Sequence, residues 1–210
     1  MSASIERFIL QHWLTTHPHV HHDTTHRLLH VGSASSEHSK PLSTIFPHHH
    51  ILGIDQQQTH WVTGDPDPEV HVVCDITGDM SALQGELFGG IVCCSVLEHV
   101  QRPWIAAENL RRHLRPGGWL YVTVPWIWSV HGYPADYWRI SVTGMQVLFP
   151  GLTWDIAAHY AMREGKFIGF AHTDRAHAQA PFRIRGDAPR TDYVYLAQQM
   201  VCGLGWSQSA

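Results

Sequence analysis

Residues 88–100, FGGIVCCSVLEHV, begin as an almost unbroken apolar run and end on Ser95, Glu98 and His99. A strand with one wet face alternates polar and apolar residues. This one does not, so it reads as a strand covered on both faces. The chain around it agrees. Downstream, PWIAAENLRRHL (103–114) has Pro103 near its start and Pro116-Gly117-Gly118 after its end, the start and stop signals of a helix. WLYVTVPW (119–126) is a second buried strand. Upstream, RLLHV (27–31), HILGID (50–55) and VHVVCDI (70–76) are short apolar strands, the last preceded by the turn cluster GDPDPE (64–69). A helix-forming segment ends near STIFP (43–47), and SIERFILQHWL (4–14) groups Ile5, Phe8, Ile9, Leu10 and Trp13 at helical spacing. Strands alternating with helices predict a parallel sheet with helices on both faces, an α/β fold.

Composition narrows the function classes. The chain has 210 residues, enough for one α/β domain with a sizeable core. Its net charge is −4 with 14 Lys+Arg, which offers no basic surface, so no nucleic-acid partner is expected. No apolar run approaches the roughly 20 residues a membrane helix needs, and the first residues, MSASIERFILQHWL, lack the charged start and cleavage site of a signal peptide. The expectation is a cytoplasmic protein with no membrane partner. Cys74, Cys93, Cys94 and Cys202 form no CxxC pair, and three of them sit in strand-like runs, so they read as buried reduced thiols. The 19 histidines gather in HPHVHHDTTH (17–26) and FPHHH (46–50), without HExxH or Cys/His ligand spacing. They read as solvated loop residues, and no metal is expected.

In a sheet of this kind a ligand binds beyond the carboxyl ends of the strands, where the strand order reverses. The residues there are Gly32 to Ser36, Asp55, Asp75, and Ser95 to His99. Asp55 ends its strand 23 positions after Gly32, where a carboxylate can accept from both hydroxyls of a ribose; it can equally be a helix cap or turn residue. The loop after the first strand, GSASS (32–36), lacks the three glycines of a dinucleotide site, and Glu37 at the third position would face a pyrophosphate. NAD is disfavoured. A cofactor with a sulfonium cation and no phosphate suits the loop better.

Taken together, LLHVGSASS, GID, VVCDITGDM, FGGIVCCSVLEHV and LRRHLRPGGWLYVTVPW resemble a class I S-adenosylmethionine-dependent methyltransferase over roughly residues 27–126, and the similarity continues through HGYPADYWRISVTGMQVLF (131–149). SVLEHV and LRPGG at their separation are the most specific parts. The resemblance implies a Rossmann-like three-layer sandwich on a mostly parallel seven-stranded sheet with an antiparallel last strand. It implies one domain over 1–210: an N-terminal helix and His-rich lead-in (1–26), a cofactor-binding half (27–126) and an acceptor-side half (127–210). The implied cofactor is S-adenosylmethionine. Gly32 and Ser33 would lie against its methionine part, Asp55 would hold the ribose, and Asp75 with Ile76 would meet the adenine. Ser95 and Val96 would line the methionine moiety from the fourth strand, with Glu98 and His99 in the turn that follows. The sequence departs from the family at His30, where an acid is usual, and at Ala34 and Ser36, where glycines are usual.

The implied activity is methyl transfer to a small-molecule acceptor, a metabolite or a sugar-like compound; the alternative is a non-catalytic relative serving as a partner or regulatory subunit. Methyl transfer is an in-line displacement at an activated carbon, so positioning supplies much of the rate. PWIWSVHGYPADYWR (125–139) follows the fifth strand and combines aromatic walls with a few polar groups. His131 is its titrating group, as base or acceptor ligand, or else only a tie for the loop. Tyr137 and Tyr133 can orient an acceptor, Trp126 and Trp128 can wall it off, and Asp136 can pair with Arg139 three residues on. His99 is read as structural. LTWDIAAHYAM (152–162) and DYVYLAQQMV (192–201) are the expected last strands, an antiparallel pair, and the polar loop between them (172–192) is a candidate cover for the acceptor site. Oligomeric state has no sequence signal.

Overall fold

The computed structural model describes residues 10, 11, 13–15, 17, 18, 20, 23–34, 41–61, 63–128, 130–132, 135–163, 166–171 and 199–208. The strands are β1 (Leu28–Val31), β2 (Ile51–Asp55), β3 (Val72–Val73), β4 (Phe88–Cys94), β5 (Leu114–Ile127), β6 (Leu152–Arg163), β7 (Lys166–Ala171) and β8 (Gln199–Ser207), with helices α1 (Pro103–Arg112) and α2 (Val142–Leu148) between β4 and β6. They form one sheet in the order β3-β2-β1-β4-β5-β8-β6-β7. The pairs from β3 to β5 are parallel, and β8 runs antiparallel to both of its neighbours.

Two expectations about the inner strands hold: β4 lies between β1 and β5, and β5 between β4 and β8. Their side chains divide by parity. Ile91, Cys93, Leu120, Val122 and Val124 face one core with Ala106, Ala107 and Leu110 of α1 and Val142 and Met145 of α2. Val92, Trp119 and Tyr121 face the other with Leu10, Trp13, Leu14 and Phe46. Both faces are therefore covered, which is why the run at 88–94 needs no polar residue. Gly90 has a reason on this second face: a Cβ there would stand 2.2 Å from Cε2 of Trp119. The indole occupies that space.

The helix expected at 103–114 forms over Pro103–Arg112, and α2 is a helix the sequence reading did not name. α1 places Pro103 in its first turn and buries Pro103, Ala106, Ala107 and Leu110, spaced as one stripe, while Arg111 and Arg112 close its last turn where the helix dipole favours cations. α2 is capped by the Ser141 hydroxyl, which accepts from the Gly144 N–H. At the N-terminus Leu10, Trp13 and Leu14 are helical and buried, while Ile5, Phe8 and Ile9 lie outside the described residues.

The sheet differs from expectation at its edges. Among the described residues it has eight strands where seven were expected; the expected antiparallel pairing of β6 with β8 is present, and the addition is β7, antiparallel to β6. KFIGFA (166–171) pairs with β6 as an added edge; at six residues with Gly169 inside, its sequence carries no pattern that marks a strand. β3 keeps only two residues, and Cys74 and Ile76 just beyond it are buried in the core. The loop at 172–192 and the first part of DYVYLAQQMV lie outside the described residues. Cys74 and Cys93 are buried free thiols and Cys94 a half-buried one.

Candidate active site

The chain builds β1, β2 and β3 to one side, then returns to place β4 and β5 on the other, so the order reverses between β1 and β4. The crevice beyond their carboxyl ends is where this architecture receives a ligand. Gly32 leaves β1 at φ +70, and a Cβ on it would stand 2.4 Å from Cγ2 of Val96. Two facts therefore demand glycine there: the left-handed backbone and the close approach of the segment after β4. Ser95, beside Val96, is held at φ +52, which a non-glycine residue adopts at a cost of about 1–2 kcal/mol. Its N–H is fixed by the Thr123 carbonyl of β5 at 3.0 Å.

Asp55 ends β2 and is 7% exposed. Its carboxylate accepts from the Ala34 N–H at 3.1 Å, the Gln56 N–H at 2.7 Å and the Trp61 indole N–H at 3.1 Å. Burial pushes its carboxyl above the usual range, and these donors oppose the rise. Gly32 and Ser33 both donate to the Ile54 carbonyl. The loop and the acid thus form one unit: the carboxylate organises the turn that follows β1. Ser33 is fully buried, beside Gly53 of β2. Asp75 is exposed and accepts from the N–H and hydroxyl of Thr77, both at 2.8 Å, forming a local turn. Ile76 sends its side chain into the core, and its carbonyl accepts from the Asn109 amide of α1.

Beyond β4 and β5 a second constellation assembles. The turn Leu97–His99 follows β4, and residues 135–140 are clamped onto it: the N–H groups of Tyr137 and Trp138 donate to the Glu98 carbonyl, and the Trp138 indole donates to the Val100 carbonyl. The Glu98 carboxylate is fully buried. His99 Nδ1 hydrogen-bonds the Ala135 carbonyl, and because a carbonyl only accepts, that nitrogen carries the proton and Nε2 the lone pair. Nε2 lies 3.7 Å from Oε1 of Glu98. Burial pushes the His99 pKa down. His131 stands edge-on to His99, ring centres 5.0 Å apart. Its Nδ1 lies 3.3 Å from Oδ2 of Asp136, which also accepts the His131 N–H at 2.8 Å. Both terminal nitrogens of the Arg139 guanidinium donate to Asp136, and this pairing holds the Asp136 carboxyl far below the usual carboxylate range.

The sequence therefore anticipates the Asp136–Arg139 pair and the tie between His131 and its loop, although residues 135–140 are not helical. It misses the convergence of Glu98 and His99 on His131. Tyr137 is exposed, its hydroxyl accepting from the Gln101 amide on the surface. Trp126 packs at the edge of one core and Trp128 at the edge of the other. Tyr133 lies outside the described residues.

Residues 29–122 match a protein family described as a methyltransferase domain. No curated protein sequence matches the chain. Among solved structures, an S-adenosylmethionine-dependent methyltransferase from Archaeoglobus fulgidus aligns over 96% of this chain and 94% of its own at 12% identity, with a TM-score of 0.54. The 1,6-didemethyltoxoflavin-N1-methyltransferase of Burkholderia thailandensis, solved with its acceptor and S-adenosylhomocysteine, aligns over 90% and 75% at 12% identity and 0.54. The 16S rRNA (adenine(1408)-N(1))-methyltransferase of Catenulisporales acidiphilia aligns over 91% and 92% at 12% identity and 0.53. At such identities the likeness is one of fold. No helix among the described residues is long and apolar enough to cross a membrane. Residues 29–122, which contain the reversal of strand order between β1 and β4 and the glycine turn closed by Asp55, match a methyltransferase domain, and the chain has the fold of S-adenosylmethionine-dependent methyltransferases.

Proposed function

We propose that the protein methylates a small molecule, a metabolite or sugar-like compound, and that His131 engages the acceptor atom. The observation that carries the reading is the placement of His131. It follows β5 at the carboxyl edge of the sheet, oriented by Asp136, next to the turn that continues β4. That edge is shared with the cofactor crevice. When bound, S-adenosylmethionine supplies an electrophilic methyl carbon on a sulfonium. The residues present fit it: Gly32 lets the loop after β1 close against Val96, and the buried Asp55 carboxylate, at the end of the neighbouring strand, holds that loop. Gly32, Ser33, Ser95 and Val96 would border the methionine part, Asp55 would take the ribose hydroxyls, and Asp75 and the Ile76 backbone would meet the adenine. His131 would hold the acceptor or take its proton, and Tyr137 would stand at the rim. The two halves, 27–126 and 127–210, would work as one domain.

Charge supports a small acceptor. The rRNA enzyme shares the fold, but a net charge of −4 gives this chain little to set against a phosphate backbone. Free thiols at Cys74, Cys93 and Cys94 suit a reducing compartment such as the cytoplasm. The test is His131→Ala. Its affinity for S-adenosylmethionine, by titration calorimetry, should stay near that of the parent while turnover falls by about 10²–10⁴. Unchanged turnover with a lowered melting temperature would reduce His131 to a tie for its loop.

A further inference from the structure

We propose that Glu98, His99 and His131 hold a divalent first-row cation such as Zn²⁺, Co²⁺ or Mn²⁺. One ligand atom from each of the three residues falls within 4.8 Å of the other two. Two ligands about 2.1 Å from a tetrahedral ion stand about 3.4 Å apart, and the His99 Nε2 to Glu98 Oε1 separation is 3.7 Å. A shift of a few tenths of an ångström brings this pair to tetrahedral spacing, and the His131 ligand atom lies within 4.8 Å of both.

The second layer is more telling than the distances. A histidine that ligates through one nitrogen normally donates its other N–H to a carbonyl or carboxylate, which fixes the tautomer and the ring. His99 does this, and His131 stands beside a carboxylate placed for it. His99 Nδ1 is committed to the Ala135 carbonyl, and His131 Nδ1 faces the Asp136 carboxylate, itself locked by Arg139. His99 therefore carries its lone pair on Nε2, 3.7 Å from Oε1 of the buried Glu98 carboxylate. A cation between them would be held by both. Two imidazoles with one carboxylate suit Zn²⁺ and its first-row neighbours better than Ca²⁺, which takes six to eight oxygens. The purpose of such an ion rests on the function proposed above and narrows it: with Nε2 given to the ion, His131 would hold the acceptor hydroxyl through the ion, which lowers that hydroxyl's pKa, and would not take the proton itself. The ion's binding does not rest on that function.

The test uses the full-length chain purified without a tag, stripped with a chelator and titrated with Co²⁺ while visible absorption and stoichiometry are read. The 19 histidines will bind some cobalt in every variant, so the diagnostic quantity is one tight equivalent with its own d–d bands. It should be present in the parent and weakened at least about 100-fold in Glu98→Gln and in His131→Ala. Asp136→Asn, which changes a positioning residue, should weaken it by about 10–100-fold. His131, whose side chain is 35% exposed, decides the matter if the buried Glu98→Gln fails to fold. The proposal is overturned if the parent shows no tight equivalent, or if His131→Ala keeps the parent's stoichiometry, affinity and bands. Neither result touches cofactor affinity or the turnover of His131→Ala, which judge the methyltransferase reading separately.

Discussion

Gly32 and Asp55 serve the same turn by different means, and substitutions separate them. At Gly32 an added methyl meets two penalties, a φ of +70 and the Cγ2 of a β-branched valine 2.4 Å away. Gly32→Ala should therefore cost about 1–3 kcal/mol in chemical denaturation, the range for strain and overpacking in a closed site. Cofactor affinity should fall with it, because Val96 and the loop must part. Asp55 is different: burial raises its pKa, yet a ribose is held by the ionised form. The sign of each consequence follows. Its contribution to folding stability is fully present below the unfolded pKa and is lost as pH rises through the raised folded pKa. Its contribution to cofactor binding runs the other way and is lost as pH falls through that pKa. S-adenosylhomocysteine titrations across mildly acidic pH should show affinity dropping with acid in the parent and a flatter profile in Asp55→Asn. Asp55→Ala should weaken binding by about 1.5–3 kcal/mol at neutral pH, as for hydrogen bonds to a charged group. Equal slopes in parent and Asp55→Asn would leave Asp55 with only its turn-forming role. Its position at a strand end is plain in the sequence. Its bonds to Ala34 and Trp61 are not, since no local pattern encodes contacts made across a fold.

Among the elements, β4 and β5 show why some were readable. Their burial on both faces leaves an apolar run no helix stripe or half-exposed strand would produce, and the structure places both inside the sheet. α1 was readable from its punctuation, with proline at the front and Pro-Gly-Gly behind. β3 and β7 were not, because two and six residues carry too little periodicity to separate strand from turn. The pairing of β4 with β5 holds a further detail. The register slips between Phe88 and Gly90, and β5 uses the interval from Arg115 to Gly118 as a bulge. The Ser207 hydroxyl of β8 pins that bulge, donating to the Arg115 carbonyl and accepting from the Gly118 N–H. Gly90 then lies under the Trp119 indole, whose other neighbours are Trp13 and Phe46. Gly90→Ala should force that ring out and destabilise the protein by about 1–3 kcal/mol. Near-ultraviolet dichroism should show the altered tryptophan environment. An unchanged spectrum and melting temperature would mean that the ring moves aside freely.

At the scale of the whole molecule, the sheet is a parallel half built in sequence and an antiparallel half that is not. The parallel half explains how His99 and His131, 32 residues apart and part of no spaced motif, come together: each follows the carboxyl end of one of two neighbouring parallel strands. That neighbourhood could be drawn from strand order alone, whereas the facing of Glu98, His99 and His131 depends on residues 135–140 folding back onto the turn after β4. The antiparallel half depends on its last strand. β8 pairs with β5 from Trp119 to Ile127 and with β6 from Leu152 to Ala161, so among the described residues β6 and β7 join the rest of the sheet through it. A chain cut before Gln199 should lose more than one strand. β5 would present a long unpaired edge whose inward faces are apolar, the arrangement that recruits another chain. Sedimentation of the truncated protein should show self-association, and hydrogen exchange should show lost protection along β6 and β7 as well as along β5. Added back, a peptide of residues 199–208 should restore β5 protection if edge pairing is the cause. A monomeric truncated chain with β6 still protected would mean that β6 has docked onto β5 directly. The strand order would then be a preference of the intact chain, not a requirement.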